Sequence, residues 1–178
     1  MTRRLVHLAP GEYFVGDATH RVRTLLGSCV SITLWHPTAR IGAMSHFLLA
    51  ERPASSARPR TPMDARYGTE ALMLMLQRLD RLRIPHQECQ AKVFGGAHMF
   101  PAWASRIHRQ VGQRNGDAAL TLLDELGIEL VSSCLYGHGH RVVIFDIASG
   151  DVWARQAEAP PARSSWPDTT RPAPLEDL

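Results

Sequence analysis

The run Val-Ser-Ile-Thr-Leu-Trp at residues 30–35 alternates apolar and β-branched residues with small polar ones, the period of an extended chain with one face buried. It constrains the fold more than any other segment, because its surroundings make it half of a hairpin. His36-Pro37-Thr38-Ala39 reads as a turn, and RIGAMSHFLL at 40–49 reads as the returning strand. If HPTA is a four-residue loop, Trp35 pairs with Arg40, and Cys29 then falls directly opposite His46. Opposed residues have Cβ atoms roughly 4.5–5.5 Å apart on one face. A five-residue loop instead sets Phe47 against Cys29 and turns His46 to the other face.

Around this hairpin, strand and helix patterns alternate. Residues 63–83 (MDARYGTEALMLMLQRLDRLR) carry a helical stripe of Tyr67, Ala71, Leu72, Met75, Leu76, Leu79 and Leu82, with Asp64 placed as N-cap. AKVFGG at 91–96 is a short strand ending in a glycine turn. GDAALTLLDELG at 116–127 is a second helix, with Asp117 near its start and Gly127 just past its end. IELVSS (128–133) and RVVIFDI (141–147) are further strands, and 148–151 is a tight turn. The expected class is α/β, a sheet with helices packed on it.

The chain has 178 residues, 44% hydrophobic and 21% charged, enough for one compact domain with a real core. We place that domain at 1–155 and a flexible tail, rich in Pro, Ala and Ser, at 156–178. Residues 51–62 (ERPASSARPRTP) read as a long surface loop. No apolar run approaches the ~20 residues of a membrane span, and the basic N-terminus lacks the apolar stretch of a signal peptide. A formal net charge of +3 is too small to argue for nucleic acid. The three cysteines, Cys29, Cys89 and Cys134, show no regular spacing, which fits reduced thiols in a cytoplasm better than a disulfide framework.

Cys29 follows Gly27-Ser28, which leaves the backbone beside the thiol sterically open. A free thiol titrates at about 8.5, and a neighbouring imidazole can take its proton to yield a thiolate nucleophile. The local amides then face a developing oxyanion, and a small polar group such as Thr24 can orient the imidazole. Cysteine is also among the most commonly buried residues, and Cys29 borders an apolar strand. On residue chemistry alone, a packing role and a nucleophilic role both stay open.

LLGSCVSITLWHP followed by IGAMSHFLL resembles the signature of the CheD family, the chemoreceptor glutamine deamidases. The resemblance continues through Gly11-Glu12, Tyr67-Gly68, AKVFGGAHMF at 91–100, GQRNGDAALTLLDELGIELV at 112–131 and GHGHRVVIFDIASGDV at 137–152. It covers roughly residues 8–155 and leaves out the tail. It implies an α/β three-layer sandwich, similar to toxin deamidases that use a Cys-His pair. It also implies Cys29 as nucleophile, His46 as base, and a threonine before the cysteine that orients the histidine, for which Thr24 is the candidate. Some members carry that threonine one residue further from the cysteine, where this chain has Arg23. The implied activity is hydrolysis of glutamine side chains on methyl-accepting chemotaxis receptors, in the cytoplasm, without metal or organic cofactor. A chemotaxis phosphatase is a possible partner within the same resemblance. The alternatives are a non-catalytic regulatory binding module of the same fold and another thiol acyl transfer, such as that of a peptidase or a transglutaminase.

Other residues carry two readings each. Gly95-Gly96 fits a tight turn or a place where a substrate backbone comes close, and the resemblance favours the second. With Gly27 and Ser28 these two glycines make up the expected substrate and oxyanion set. Asn115 fits either a residue that bears on the site or a helix cap, and capping is favoured. His138 and His140 form an H-x-H pair that suits a surface loop better than a metal. Members often show an Asp and a Gly-Gly pair before Arg141, where this chain has Cys134 to His140.

Overall fold

The computed structural model describes residues 3–54, 62–99 and 106–157, with the backbone alone for 106–110. The elements are β1 (Arg4–His7), β2 (Tyr13–Asp17), β3 (His20–Leu26), β4 (Val30–His36), β5 (Ile41–Ser45), α1 (Gly68–Arg81), β6 (Gln90–Gly95), α2 (Arg106–Glu125), β7 (Glu129–Leu135), β8 (Arg141–Asp146) and β9 (Val152–Gln156). They form a four-stranded sheet in the order β1-β3-β8-β9 and a five-stranded sheet in the order β2-β5-β4-β6-β7. The mixed α/β class expected from the sequence holds. No helix among the described residues is long and apolar enough to cross a membrane.

Strand β4 is central, and its alternation explains why both its faces are covered. Val30, Ile32 and Leu34 pack with Phe47 and Ala43 against Leu72, Met75 and Leu79 of α1 and Leu123 of α2. The opposite face of this sheet contributes Met44, Phe94, Cys29 and Trp35 to a second cluster, with Val22 and Leu26 of β3 and Val143 and Phe145 of β8. The apolar core therefore lies on both sides of the five-stranded sheet, and residues 29, 31, 33 and 35 face the four-stranded one.

The hairpin loop has four residues, but they are Pro37–Arg40. His36 stays in the ladder opposite Ile41, and Trp35 pairs with Gly42. An isolated antiparallel bridge continues this register at Val30 and Phe47, through N–H···O bonds of 3.1 and 3.0 Å. The direct opposition of Cys29 and His46 is thus corrected. The register sets Cys29 across from Leu48 and His46 across from Ser31. Because the partner moves by two residues, the face is preserved. Strand β5 also ends at Ser45, four residues short of the expected span.

The first helix starts at Gly68, not near residue 63, and Asp64 is not its cap. The Asp64 carboxylate instead binds the Arg66 amide and guanidinium. Residues 66–68 are docked on 48–50: the Leu48 and Leu49 amides donate to Arg66 O, and the Gly68 amide donates to Leu49 O. Tertiary docking therefore sets the helix start, and Tyr67 stands before the helix, beneath the Arg52 guanidinium. Leu82 lies beyond the last turn and is 50% exposed, so it leaves the expected stripe.

The second helix begins ten residues earlier than expected, at Arg106, which puts Asn115 and Asp117 in its middle. Asp117 accepts from the Tyr136 hydroxyl rather than starting the helix. Gly112 allows the added half to sit on the end of β6: a Cβ there would lie 2.5 Å from Gly96 O. At the other end of the chain, Gln156 closes β9, and its side-chain amide donates to His138 O. The remainder of the expected tail and residues 55–61 of the expected loop lie outside the described residues.

Candidate active site

The candidate site forms where β4 begins, beneath the inner face of β3. In β3, Val22, Thr24 and Leu26 point inward and are buried, while Arg23 and Leu25 are exposed. Thr24 is the one polar group in that inward row. Its hydroxyl donates to Leu8 O at 2.7 Å and lies 2.7 Å from His46 Nδ1. A hydroxyl has one proton, and that proton goes to Leu8, so Thr24 accepts from Nδ1–H. This donor accounting leaves the Nε2 lone pair of His46 unused by the threonine. The Arg23 side chain is exposed on the outer face, and its carbonyl accepts from Leu8 N at 2.8 Å.

His46 is 2% exposed, and its backbone is held on both sides: its amide donates to Glu12 O at 2.9 Å, and its carbonyl accepts from Gly11 N at 2.7 Å. Burial pushes the imidazole down to about 4, against a smaller upward pull from the Leu8 carbonyl and the Glu12 carboxylate. At neutral pH the ring is therefore uncharged. The Cys29 thiol is half-buried and pushed above its usual range by burial, with its own amide N–H pulling the other way. The resting pair is a thiol and a neutral imidazole, the state from which a base can act.

Cys29 and His46 emerge on the same face of the five-stranded sheet, because their neighbours Val30 and Phe47 both point into the helix-side core. They occupy diagonal positions across the ladder. Diagonal Cβ atoms lie roughly 7–8 Å apart or somewhat closer, within reach of a ring the length of histidine.

The loop bearing the thiol is tied down carbonyl by carbonyl. Gly27 O accepts from Ala97 N and Cys29 O from Gly96 N, both at 2.9 Å. Ser28 O accepts from the Asn115 side chain at 3.2 Å. In a trans peptide the N–H points away from the C=O of the same unit. The Ser28 and Cys29 amides are thus turned away from Ala97 and Asn115, and among the described residues they donate to no other group's oxygen.

Gly95 and Gly96 serve this loop. Gly95 has φ +115°, and a Cβ there would stand 2.2 Å from Cys29 O. The close approach is by the Cys29 backbone at Gly95 and by the Gly112 backbone of α2 at Gly96, and the Gly96 amide is already spent on Cys29 O, so that amide is not free for an oxyanion. Gly95→Ala is expected to unseat the loop and cost about 2–4 kcal/mol, read as a lowered urea midpoint. An unchanged midpoint would remove Gly95 from this account. Gly27 plays a related part, since a Cβ on it would meet Met99 Sδ at 2.7 Å.

Asn115, read from sequence as a cap, is instead 1% exposed and bonded to Ser28 O and Leu48 O. The sequence signal was an asparagine inside an otherwise helical run, a position where it is unfavourable unless it has a partner. Leu8 and Ala97 were also missed, because they act through backbone atoms. His138 faces the His98 ring at a centroid distance of 5.6 Å, and no group of three or more His, Cys, Asp or Glu among the described residues is arranged to hold a metal. A cleft of about 910 Å³ lies beyond the Leu8–Glu12 segment, lined by residues such as Leu8, Glu12, Arg52 and Met63 but by neither Cys29 nor His46.

The sequence model of the family described as "CheD chemotactic sensory transduction" matches residues 48–156, more than half of the chain. A probable chemoreceptor glutamine deamidase CheD 2 of Albidiferax ferrireducens is 59% identical over 151 residues, covering 85% of this chain and 86% of that protein. The chain belongs to the CheD family. A probable chemoreceptor glutamine deamidase CheD 1 of Chromobacterium violaceum is 42% identical, covering 86% of this chain and 78% of its own. One from Pseudomonas syringae pv. syringae is 42% identical, covering 83% and 82%. The family model begins after Cys29 and His46, so in this CheD-family chain those two residues are reached by the longer matches to whole relatives.

Proposed function

We propose that this CheD-family chain is a chemoreceptor glutamine deamidase that uses Cys29 as nucleophile, His46 as base and Thr24 to orient the base. The observation that carries the reading is a buried neutral imidazole, held at Nδ1 by a threonine, on the same sheet face as a half-buried thiol that follows Gly-Ser. His46 Nε2 takes the Cys29 proton, and the thiolate adds to the side-chain amide carbon of a receptor glutamine. The C–S bond forms, and the negative charge on oxygen faces the Ser28 and Cys29 amides. Collapse breaks the C–N bond, and protonated His46 gives its proton to the departing ammonia. Water, deprotonated by His46, then cleaves the thioester and leaves glutamate and the free thiol. Every proton passes through His46, and the cycle calls for no metal or organic cofactor.

The same reading takes residues 1–155 as one catalytic domain, 156–178 as a flexible tail, and the two sheets with their helices as a three-layer sandwich similar to the toxin deamidases. It places the protein in the cytoplasm, acting on receptor cytoplasmic domains, with a chemotaxis phosphatase as a further partner. A half-buried thiol at the mouth of a loop suits a glutamine presented by another protein.

The test is mass spectrometry of a receptor cytoplasmic fragment incubated with the protein, with ammonia assayed in parallel. Glutamine-to-glutamate conversion with matching ammonia is expected. Binding without conversion would replace this reading with the regulatory module, and incorporation of an added primary amine would replace it with transglutamination.

A further inference from the structure

Asn115 projects from the middle of α2 toward the thiol loop, with Nδ2 3.2 Å from Ser28 O and 2.7 Å from Leu48 O. Both partners are carbonyl oxygens, which only accept, so one carboxamide spends its two protons on two backbone segments. One segment immediately precedes Cys29, and the other lies two residues after His46. A buried group with two donors and no charge is what this position requires. Aspartate would set acceptors against acceptors, and alanine would leave two carbonyls unpaired in the interior.

The Ser28 carbonyl belongs to the same peptide unit as the Cys29 amide. A donor on that carbonyl fixes the plane of the unit, directs its N–H the opposite way, and polarises it into a stronger donor. The carbonyls on either side, Gly27 and Cys29, are held by backbone amides of residues 96 and 97. Among the described residues, only the one of these three carbonyls whose peptide carries the Cys29 amide is held by a side chain. We infer that Asn115 is a positioning residue that aims the Cys29 amide at the oxyanion formed during acyl transfer to the thiol. The inference rests on the acyl-transfer chemistry proposed above, but not on the receptor as substrate.

The experiment compares two reactions of the same sulfur in the full chain. With p-nitrophenyl acetate, the thiolate adds to the acetyl carbon, an oxyanion forms, and p-nitrophenolate leaves as the thioester is made. With iodoacetamide, the C–S bond forms as iodide leaves, and no oxyanion is built. Adducts on the Cys29 peptide are quantified by mass spectrometry over time. Asn115→Ala is expected to slow acetylation at least ~10-fold more than alkylation, in line with loss of one aimed oxyanion donor. Asn115→Asp is expected to shift the same ratio further.

A purely structural role would slow both reactions alike and overturn the inference, as would an unchanged ratio. If Asn115→Ala does not fold, Asn115→Ser, which keeps one donor, is held to the same ratio with the same outcomes. A wild-type protein that acetylates Cys29 but leaves receptor glutamines untouched defeats the deamidase reading alone. Deamidation with a ratio unmoved by the variants defeats the Asn115 inference alone. A thiol that alkylates but never acetylates defeats both.

Discussion

Cys29→Ala is expected to lose at least ~10⁴-fold in glutamine deamidation, measured as the glutamate appearing in receptor peptides and as ammonia released. The size follows from the roles. With no sulfur, no thioester forms, and water must attack the amide carbon directly, a poorer electrophile than the thioester that His46-activated water meets in the proposed cycle. The two other thiols offer no substitute. Cys89 is buried in the helix-side core, pushed up to about 11 by burial, with its sulfur 3.7 Å from Pro85 O. Cys134 is exposed on β7, beside the Arg141 guanidinium. Cys134→Ser is therefore expected to retain activity. Conversion by the Cys29→Ala protein at the wild-type rate would end the nucleophile assignment, whatever the family does elsewhere.

His46→Ala ranks second, with an expected loss of about 10²–10⁴-fold in kcat, the range of a positioned general base. The pH profile gives the sharper test. Burial holds the folded imidazole down to about 4, so it stays neutral well below the ordinary histidine value of 6.5. The base form is then present throughout the neutral range and lost only as pH falls through about 4. The acid limb of kcat/KM, which reports the free enzyme, is expected near that value rather than near 6.5. The thiol, raised by burial, stays protonated across the same range and contributes no acid limb of its own. An acid limb centred near 6.5 would mean that the imidazole is wetter and more easily charged than its surroundings imply.

Much of this was readable from local patterns. Strand β4 declared itself through alternation, and the four-residue loop through the Pro-Thr turn. The register did not, because His36 looks like a turn residue ahead of a proline yet stays in the ladder, buried and bonded to Glu88. The error of two positions kept Cys29 and His46 on one face, because side chains alternate with a period of two. The start of α1 was hidden because no cap sets it; it is set by residues 48–50, which are distant in sequence. The first half of α2 was hidden because RIHRQVGQRN is polar and carries a glycine, and what holds it is close packing of Gly112 on Gly96. For Asn115 the sequence left two readings and favoured the cap, because its partners are backbone oxygens and a carbonyl leaves no mark in a sequence.

The tie between Asn115 and Ser28 spans 87 positions. During synthesis, the ribosome exposes the sulfur and the ring long before the helix that orients their loop exists. A product that ends before α2 thus carries Cys29 and His46 without the Asn115 bond to Ser28 O. On the roles proposed for these residues, the thiol loop gains its orienting bond only once α2 (Arg106–Glu125) has been made and docked on it.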